Sequence, residues 1–177
     1  MGDALKQYQA YYTVSEWEHW QDAWELIDGV PYCMSPAPSF RHQRINTKIL
    51  IQVEKALNSC KKCQVIMPID WQISEDTVVQ PDISVICKEV TGKRLLEPPT
   101  AIFEILSSST VKKDRTIKFD LFQEQGVKYY IIVNPEDDSI EIYMLDSYVK
   151  YQRQTETQNF IFNFDGCEVQ PDFSSIW

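Results

Sequence analysis

Thr100 to Leu106 is an almost continuous apolar run interrupted by one carboxylate, Glu104. Such a run, lacking polar alternation, reads as a central strand covered on both faces. A carboxylate inside that strand is costly to bury alone, so the fold must bring it a partner. Strand alternation sends Phe103 and Ile105 one way and Ile102, Glu104 and Leu106 the other. Val78 to Cys87 reads as a second strand, and Asp82 follows Pro81 within it. Proline cannot donate to a ladder, so it marks a bulge or irregular strand start that opens space beside the sheet. A helix predicted over Val111 to Gln125, stopped by Gly126, puts Asp114 and Lys118 on one face at i, i+4. It returns from the end of the Glu104 strand, so its first turns lie near that end.

The rest of the chain supplies the surrounding elements. Residues 1–12, with Tyr8, Tyr11 and Tyr12, show no period and read as an arm. Thr13 or Ser15 can cap a short helix to about Trp20. Asp28-Gly29 between Trp24-Glu25-Leu26-Ile27 and Val30 to Met34 predicts a hairpin, because both turn residues tolerate positive φ. Ser35-Pro36-Ala37-Pro38 breaks that pattern. A helix from the N-cap Ser39 to about Asn58 carries Ile45, Ile49, Val53 and Leu57 every four residues. Strands are predicted over Gln64 to Ile69, Tyr129 to Val133 and Ile140 to Leu145, with shorter ones near Tyr148 to Arg153 and Phe160 to Phe164. The tail ends on the apolar anchor Ile176-Trp177. The order helix–strand–strand–strand–helix–strand implies a mixed sheet with helices packed on it, an α/β (α+β) fold. With no dividing linker, residues 1–177 read as a single domain, with a core over about 39–133, an N-terminal hairpin over 24–34 and C-terminal strands over 140–164.

Charge and composition narrow the function classes. A formal charge of −9 argues against indiscriminate nucleic-acid binding by the whole surface, while leaving room for a local basic groove. Arg41, Arg44 and Lys48, and Lys112, Lys113, Arg115 and Lys118, are the two basic clusters, each read first as a solvated helix face. No apolar run approaches the ~20 residues of a membrane span. The N-terminus lacks a basic start followed by an apolar block, so no signal peptide is expected. An odd cysteine count points to a reduced, cytoplasmic setting. Cys60-Lys61-Lys62-Cys63 has the spacing of a metal or redox pair, but without a second pair or a spaced histidine it is not read as a zinc site. Val169-Gln170-Pro171-Asp172 repeats Val79-Gln80-Pro81-Asp82 and reads as a turn. The aromatic-rich hairpins are suited to pairing in a homodimer.

Asp82 and Glu104, with a backbone carbonyl and waters, offer the hard oxygen ligands that Mg2+ prefers, and Mn2+ also accepts. Lys118 beside them can orient or deprotonate a water and stabilise charge on a phosphate. Together they suit metal-assisted hydrolysis of a phosphodiester. The competing readings are a surface helix pair for Asp114 and Lys118 and a turn cap for Asp82. Glu25 is either a further carboxylate or a polar position on an exposed hairpin. His42 is either an auxiliary ligand or phosphate contact, or a helix-start capping residue.

At these residues the chain resembles the PD-(D/E)XK nuclease superfamily. It resembles more closely a bacterial family of unknown function, abundant in cyanobacteria, that carries a restriction-endonuclease label. The resemblance runs from about Thr13 to Trp177. It rests on Glu25-Leu26-Ile27-Asp28-Gly29, Met34-Ser35-Pro36, His42, Pro81-Asp82, Glu104, the turn Ser107 to Thr110, Asp114, Lys118 and Gly126-Val127 with Tyr129 and Tyr130. It implies a restriction-endonuclease-like mixed sheet with flanking helices and added hairpins, DNA as substrate, and Asp82, Glu104 and Lys118 as the site. The superfamily lysine usually stands two residues after the acid, where this chain has Leu106, so the lysine has moved to the helix as Lys118. A nuclease-fold module that binds DNA or protein without catalysis is the other reading left open.

Overall fold

The computed structural model of the protein describes residues 10–34 and 37–177; Tyr8 and Ser35-Pro36 lie outside them. Thr13 opens helix α1 (Val14–Trp17), its N–H donating to the Glu16 carboxylate at 2.8 Å. Strands β1 (Trp24–Ile27) and β2 (Val30–Cys33) form the expected hairpin, with Asp28 and Gly29 at φ 50° and 73°. The Ser39 hydroxyl accepts the His42 N–H at 3.2 Å and starts helix α2 (Phe40–Ala56). Next come β3 (Gln64–Ile66), β4 (Trp71–Gln72), β5 (Val78–Val79), β6 (Ile83–Ile86) and β7 (Ala101–Ile105). Helices α3 (Val111–Arg115) and α4 (Ile117–Glu124) lead to β8 (Tyr129–Asn134), β9 (Ser139–Leu145) and β10 (Tyr151–Arg153). The hairpin β11 (Phe162–Phe164) and β12 (Cys167–Val169) closes the chain, followed by one 3-10 turn, Phe173–Ser175.

The main sheet has the order β10-β9-β8-β7-β6-β3. Strands β7 and β8 run parallel, joined by α3 and α4, while their other neighbours are antiparallel. A second sheet has the order β2-β1-β5-β4. One face of the main sheet, through Ile83, Val85, Phe103, Ile105, Ile131 and Val133, is covered by α2 and by Phe162 and Phe164. Ile45, Ile49 and Val53 supply the α2 contact, as their spacing requires. The other face carries Ile102, Tyr130 and Ile132 and packs against Phe122 of α4, with Trp71 and Ile27 from the second sheet. Glu104 points into that second layer.

The structure departs from the sequence reading in five places. Val78 to Cys87 is not one strand: β5 belongs to the second sheet and β6 to the main sheet, and Gln80-Pro81-Asp82 carries the chain between them. The helix over 111–125 breaks at Thr116, whose φ of −127° and ψ of −80° leave the helical region while its hydroxyl donates to the Lys112 carbonyl. Strand β3 stops at Ile66, ahead of Pro68, and the tail contains β12, which no sequence period announces. Four cysteines, rather than remaining reduced, are paired, Cys60 with Cys167 and Cys63 with Cys87, and Cys33 is free. The repeated tetrapeptide ends β12 and turns, with Asp172 accepting the Ser174 N–H at 2.9 Å. No helix among the described residues is long and apolar enough to cross a membrane.

Ile49 is fully buried and Ile51, two residues on, is exposed. Ile49→Ala should lower the urea-unfolding free energy by about 2–5 kcal/mol, whereas Ile51→Ala should change it by about 0.5 kcal/mol or less.

Candidate active site

Pro81 has no N–H, and the donors on either side of it reach two different carboxylates. Gln80 N–H donates to Glu25 Oε1 at 2.9 Å, and Asp82 N–H approaches Glu104 Oε2 at 3.4 Å. Glu25 comes from β1 of the second sheet and Glu104 from β7 of the main sheet, so the strand switch brings the two acids together. Between them sits the Lys118 ammonium, 2.8 Å from Glu25 Oε1, 2.7 Å from Glu104 Oε1 and 3.9 Å from Asp114 Oδ1. Lys113 also reaches Glu25. Asp82 accepts the Ile105 N–H at 2.8 Å, and its Oδ2 lies 3.3 Å from His42 Nε2 at the start of α2. The helix positions matter here. His42 is delivered by the first turn of α2, and Asp114 and Lys118 lie on either side of the Thr116 break.

These groups line a cleft of about 490 Å3 that also takes in the turn Ser107 to Thr110 and Arg41. All six residues singled out from the sequence, Glu25, His42, Asp82, Glu104, Asp114 and Lys118, lie on it. Two of the competing readings fail on burial. Glu25 is 1% exposed, not on an exposed hairpin face, and Asp114 and Lys118 are 2% and 3% exposed, not a surface helix pair. Asp82 does not merely cap a turn, since it bonds across to β7. Among the described residues, no group of three or more His, Cys, Asp or Glu side chains is arranged as a ready-made metal cage.

The electrostatics follow from burying three carboxylates, Glu25, Glu104 and Asp114, with two ammonium groups. Burial opposes charge on Lys118, but Glu104, Glu25 and Asp114 outweigh it and hold the ammonium well above its ordinary value. Burial likewise opposes ionisation of Glu25, and Lys118, Lys113 and the Gln80 N–H reverse it, leaving Glu25 below the usual range. Glu104 goes the other way: burial and the charges of Asp114, Asp82 and Glu25 raise it well above its ordinary value, against the pull of Lys118. Asp114 is raised too, by burial first. With the Lys118 ammonium and the Glu25 carboxylate both favoured, the excess negative charge of the cluster weighs on Glu104 and Asp114, whose ionisation is disfavoured. Burial of His42 is outweighed by its bond to Asp82, which raises the imidazole.

Compared with known proteins, the chain matches over residues 5–174 the family Uma2, described as "Putative restriction endonuclease". The chain belongs to the Uma2 family. No curated protein matches it. Among solved structures it is similar to the crystal structure of a putative nuclease belonging to DUF820 from Anabaena variabilis ATCC 29413. That match has a TM-score of 0.73 at 16% identity and covers 93% of this chain and 97% of the other. The likeness shows the fold, the nuclease-type mixed sheet expected from the sequence.

Two contributors in this Uma2 chain escaped sequence reasoning. Lys113, which in sequence belongs to a basic run on a helix face, pairs with Glu25. Tyr130, in the buried strand β8 as expected, also donates its hydroxyl to the Asp114 carbonyl at 2.9 Å, bracing α3 against β8. No local pattern marks either, because both partners arrive from distant elements.

The raised Glu104 gives a signed pH dependence. Between its ordinary value of 4.5 and its raised folded value, the folded chain holds a proton that the unfolded chain has released. Stability therefore falls as pH rises through that window. With a chelator present, urea midpoints measured from about pH 5 to about pH 8 should fall less steeply for Glu104→Gln than for the unaltered chain.

Proposed function

We propose that this chain is a divalent-metal-dependent nuclease that hydrolyses phosphodiester bonds in DNA. The observation that carries the reading is the convergence of Asp82, just ahead of β6, and Glu104, in the neighbouring β7, on one cleft beside a buried lysine. Membership of Uma2 and the nuclease-type fold support it. The donor set fits a hard cation. Asp114 Oδ1 is buried without a hydrogen-bond partner, and the carboxylates exceed the ammonium groups, so the cluster is short of positive charge. Mg2+ asks for only one or two carboxylates and keeps its waters, which suits Asp82 and Glu104 better than a full protein cage would. When bound, the ion would polarise a phosphoryl oxygen and lower the pKa of a water.

The protein's own groups have separable tasks. Asp82 is held in place by the Ile105 N–H and by His42, so its carboxylate is oriented before any ligand arrives. Lys118 stays an ammonium, so it acts not as the base but as a fixed positive charge that orients Glu104 and stabilises charge on the phosphate. Glu25, itself paired with Lys113, holds Lys118 from the opposite side. The Ser107 to Thr110 turn lines the mouth with hydroxyls that can meet a phosphate backbone. The non-catalytic reading is favoured by one observation, the acidic balance of both cleft and chain, at −9 overall.

Plasmid cleavage with Mg2+ or Mn2+ separates the two. Asp82→Ala and Glu104→Ala should each reduce cleavage by at least about 10²-fold. Equal cleavage by the altered and unaltered proteins would sink the nuclease reading. His42→Ala should leave cleavage possible but raise the metal concentration needed by about 10- to 100-fold, because it removes the group that orients Asp82.

A further inference from the structure

The turn after α2 carries Cys60-Lys61-Lys62-Cys63, whose sequence shows no second cysteine pair near by. The fold supplies one. Cys87 stands just beyond β6 and Cys167 opens β12, and both come to this turn. The turn itself is tight: Cys60 N–H donates to the Leu57 carbonyl at 2.7 Å, and Cys63 N–H donates to the Cys60 carbonyl at 3.3 Å. The facing hairpin places Phe164 opposite Cys167 in register. The Cys63 sulfur sits 3.8 Å from the Phe164 carbonyl, so it lies beside the hairpin that holds the other pair's sulfur. Lys62 reaches the Asp165 carbonyl in the same hairpin turn. Cα separations are 5.9 Å for Cys60 and Cys167 and 4.0 Å for Cys63 and Cys87. Cys60 and Cys63 are buried, and all four lie in or against the same apolar cluster.

We propose that, when its two disulfides are reduced, this cluster binds one Zn2+ through Cys60, Cys63, Cys87 and Cys167. A two-residue spacer is the spacing by which one turn gives two ligands to a structural zinc, and the other two come from the residue after β6 and the start of β12. Tetrahedral coordination at a Zn–S distance of about 2.3 Å needs sulfurs about 3.8 Å apart, so each pair must open from its bonded contact once its disulfide is reduced. The chemistry balances. Two equivalents of a dithiol give each disulfide two electrons and two protons and become cyclic disulfides themselves. One Zn2+ then takes the four thiolates, and four protons are released. This site lies beyond the C-terminal end of α2, whereas His42 and the acidic cleft lie at its N-terminal end, so the two do not share ligands.

The test uses the whole protein. It is reduced with excess dithiothreitol without air, desalted and titrated with Co2+ and then Zn2+. The expected result is a thiolate-to-cobalt charge-transfer band with tetrahedral d–d absorption, saturating at one Co2+ per chain, bleached by one Zn2+ and absent before reduction. Cys87→Ser and Cys167→Ser should each lose about a quarter of the thiolate-to-cobalt intensity, one ligand in four. Co2+ held by oxygen ligands in the acidic cleft gives no thiolate band, so a failure here is distinct from a failure of the nuclease reading. A reduced, unaltered chain that develops no thiolate band overturns the proposal whether or not the serine variants fold. So does an undiminished band in both variants.

Discussion

One buried ammonium holds the two sheets in their relative places. An isolated ion inside a protein costs several kcal/mol, and that cost is met only by close, well-aligned partners. Lys118 finds Glu25 on the second sheet and Glu104 on the main sheet, at 2.8 and 2.7 Å. Moving either sheet would leave a charge stranded, so apolar contacts such as those of Trp71 and Ile27 act along a direction that the ion cluster already defines. The cluster is therefore a structural clamp as well as a candidate site. Its remaining negative charge is what makes it receptive to a proton or a cation.

Pro81 is the backbone counterpart of that clamp. A strand long enough to run from Val78 to Cys87 in one sheet would pair every other N–H with a neighbour. Instead the chain leaves one sheet at Val79 and enters the other at Ile83, and the flanking N–H groups turn to carboxylates. Proline, with no N–H, adds no donor that the crossing would have to satisfy. The irregularity that suggested open space beside a sheet is thus the junction of two sheets.

What could be read from the sequence was local in origin. A glutamate in an apolar strand, an acid after proline, an Asp-Gly turn and a four-residue apolar spacing each carry their own physical signature, and the fold honours all of them. What could not be read depends on elements far apart along the chain. Glu25 stays ambiguous in a hairpin because alternation says which residues share a face, not what covers it. The Thr116 break lies in a stretch that reads as one continuous helix, and only the structure shows the Thr116 backbone leaving the helical region with its hydroxyl on the Lys112 carbonyl. Cysteine pairing across 107 residues leaves no trace in spacing.

Helix α2 links these separate regions physically. Its buried face, Ile45, Ile49 and Val53, fixes both its rotation and its axial position on the sheet. The same seating sends His42 toward Asp82 from the first turn and sets Cys60 against the C-terminal hairpin just past the last. At about 1.5 Å per residue, its 17 residues span roughly 25 Å. A helix seated by a close-packed core transmits displacement rather than absorbing it. Whatever closes the cysteine cluster therefore sits just past the far end of the element whose first turn carries His42 to Asp82.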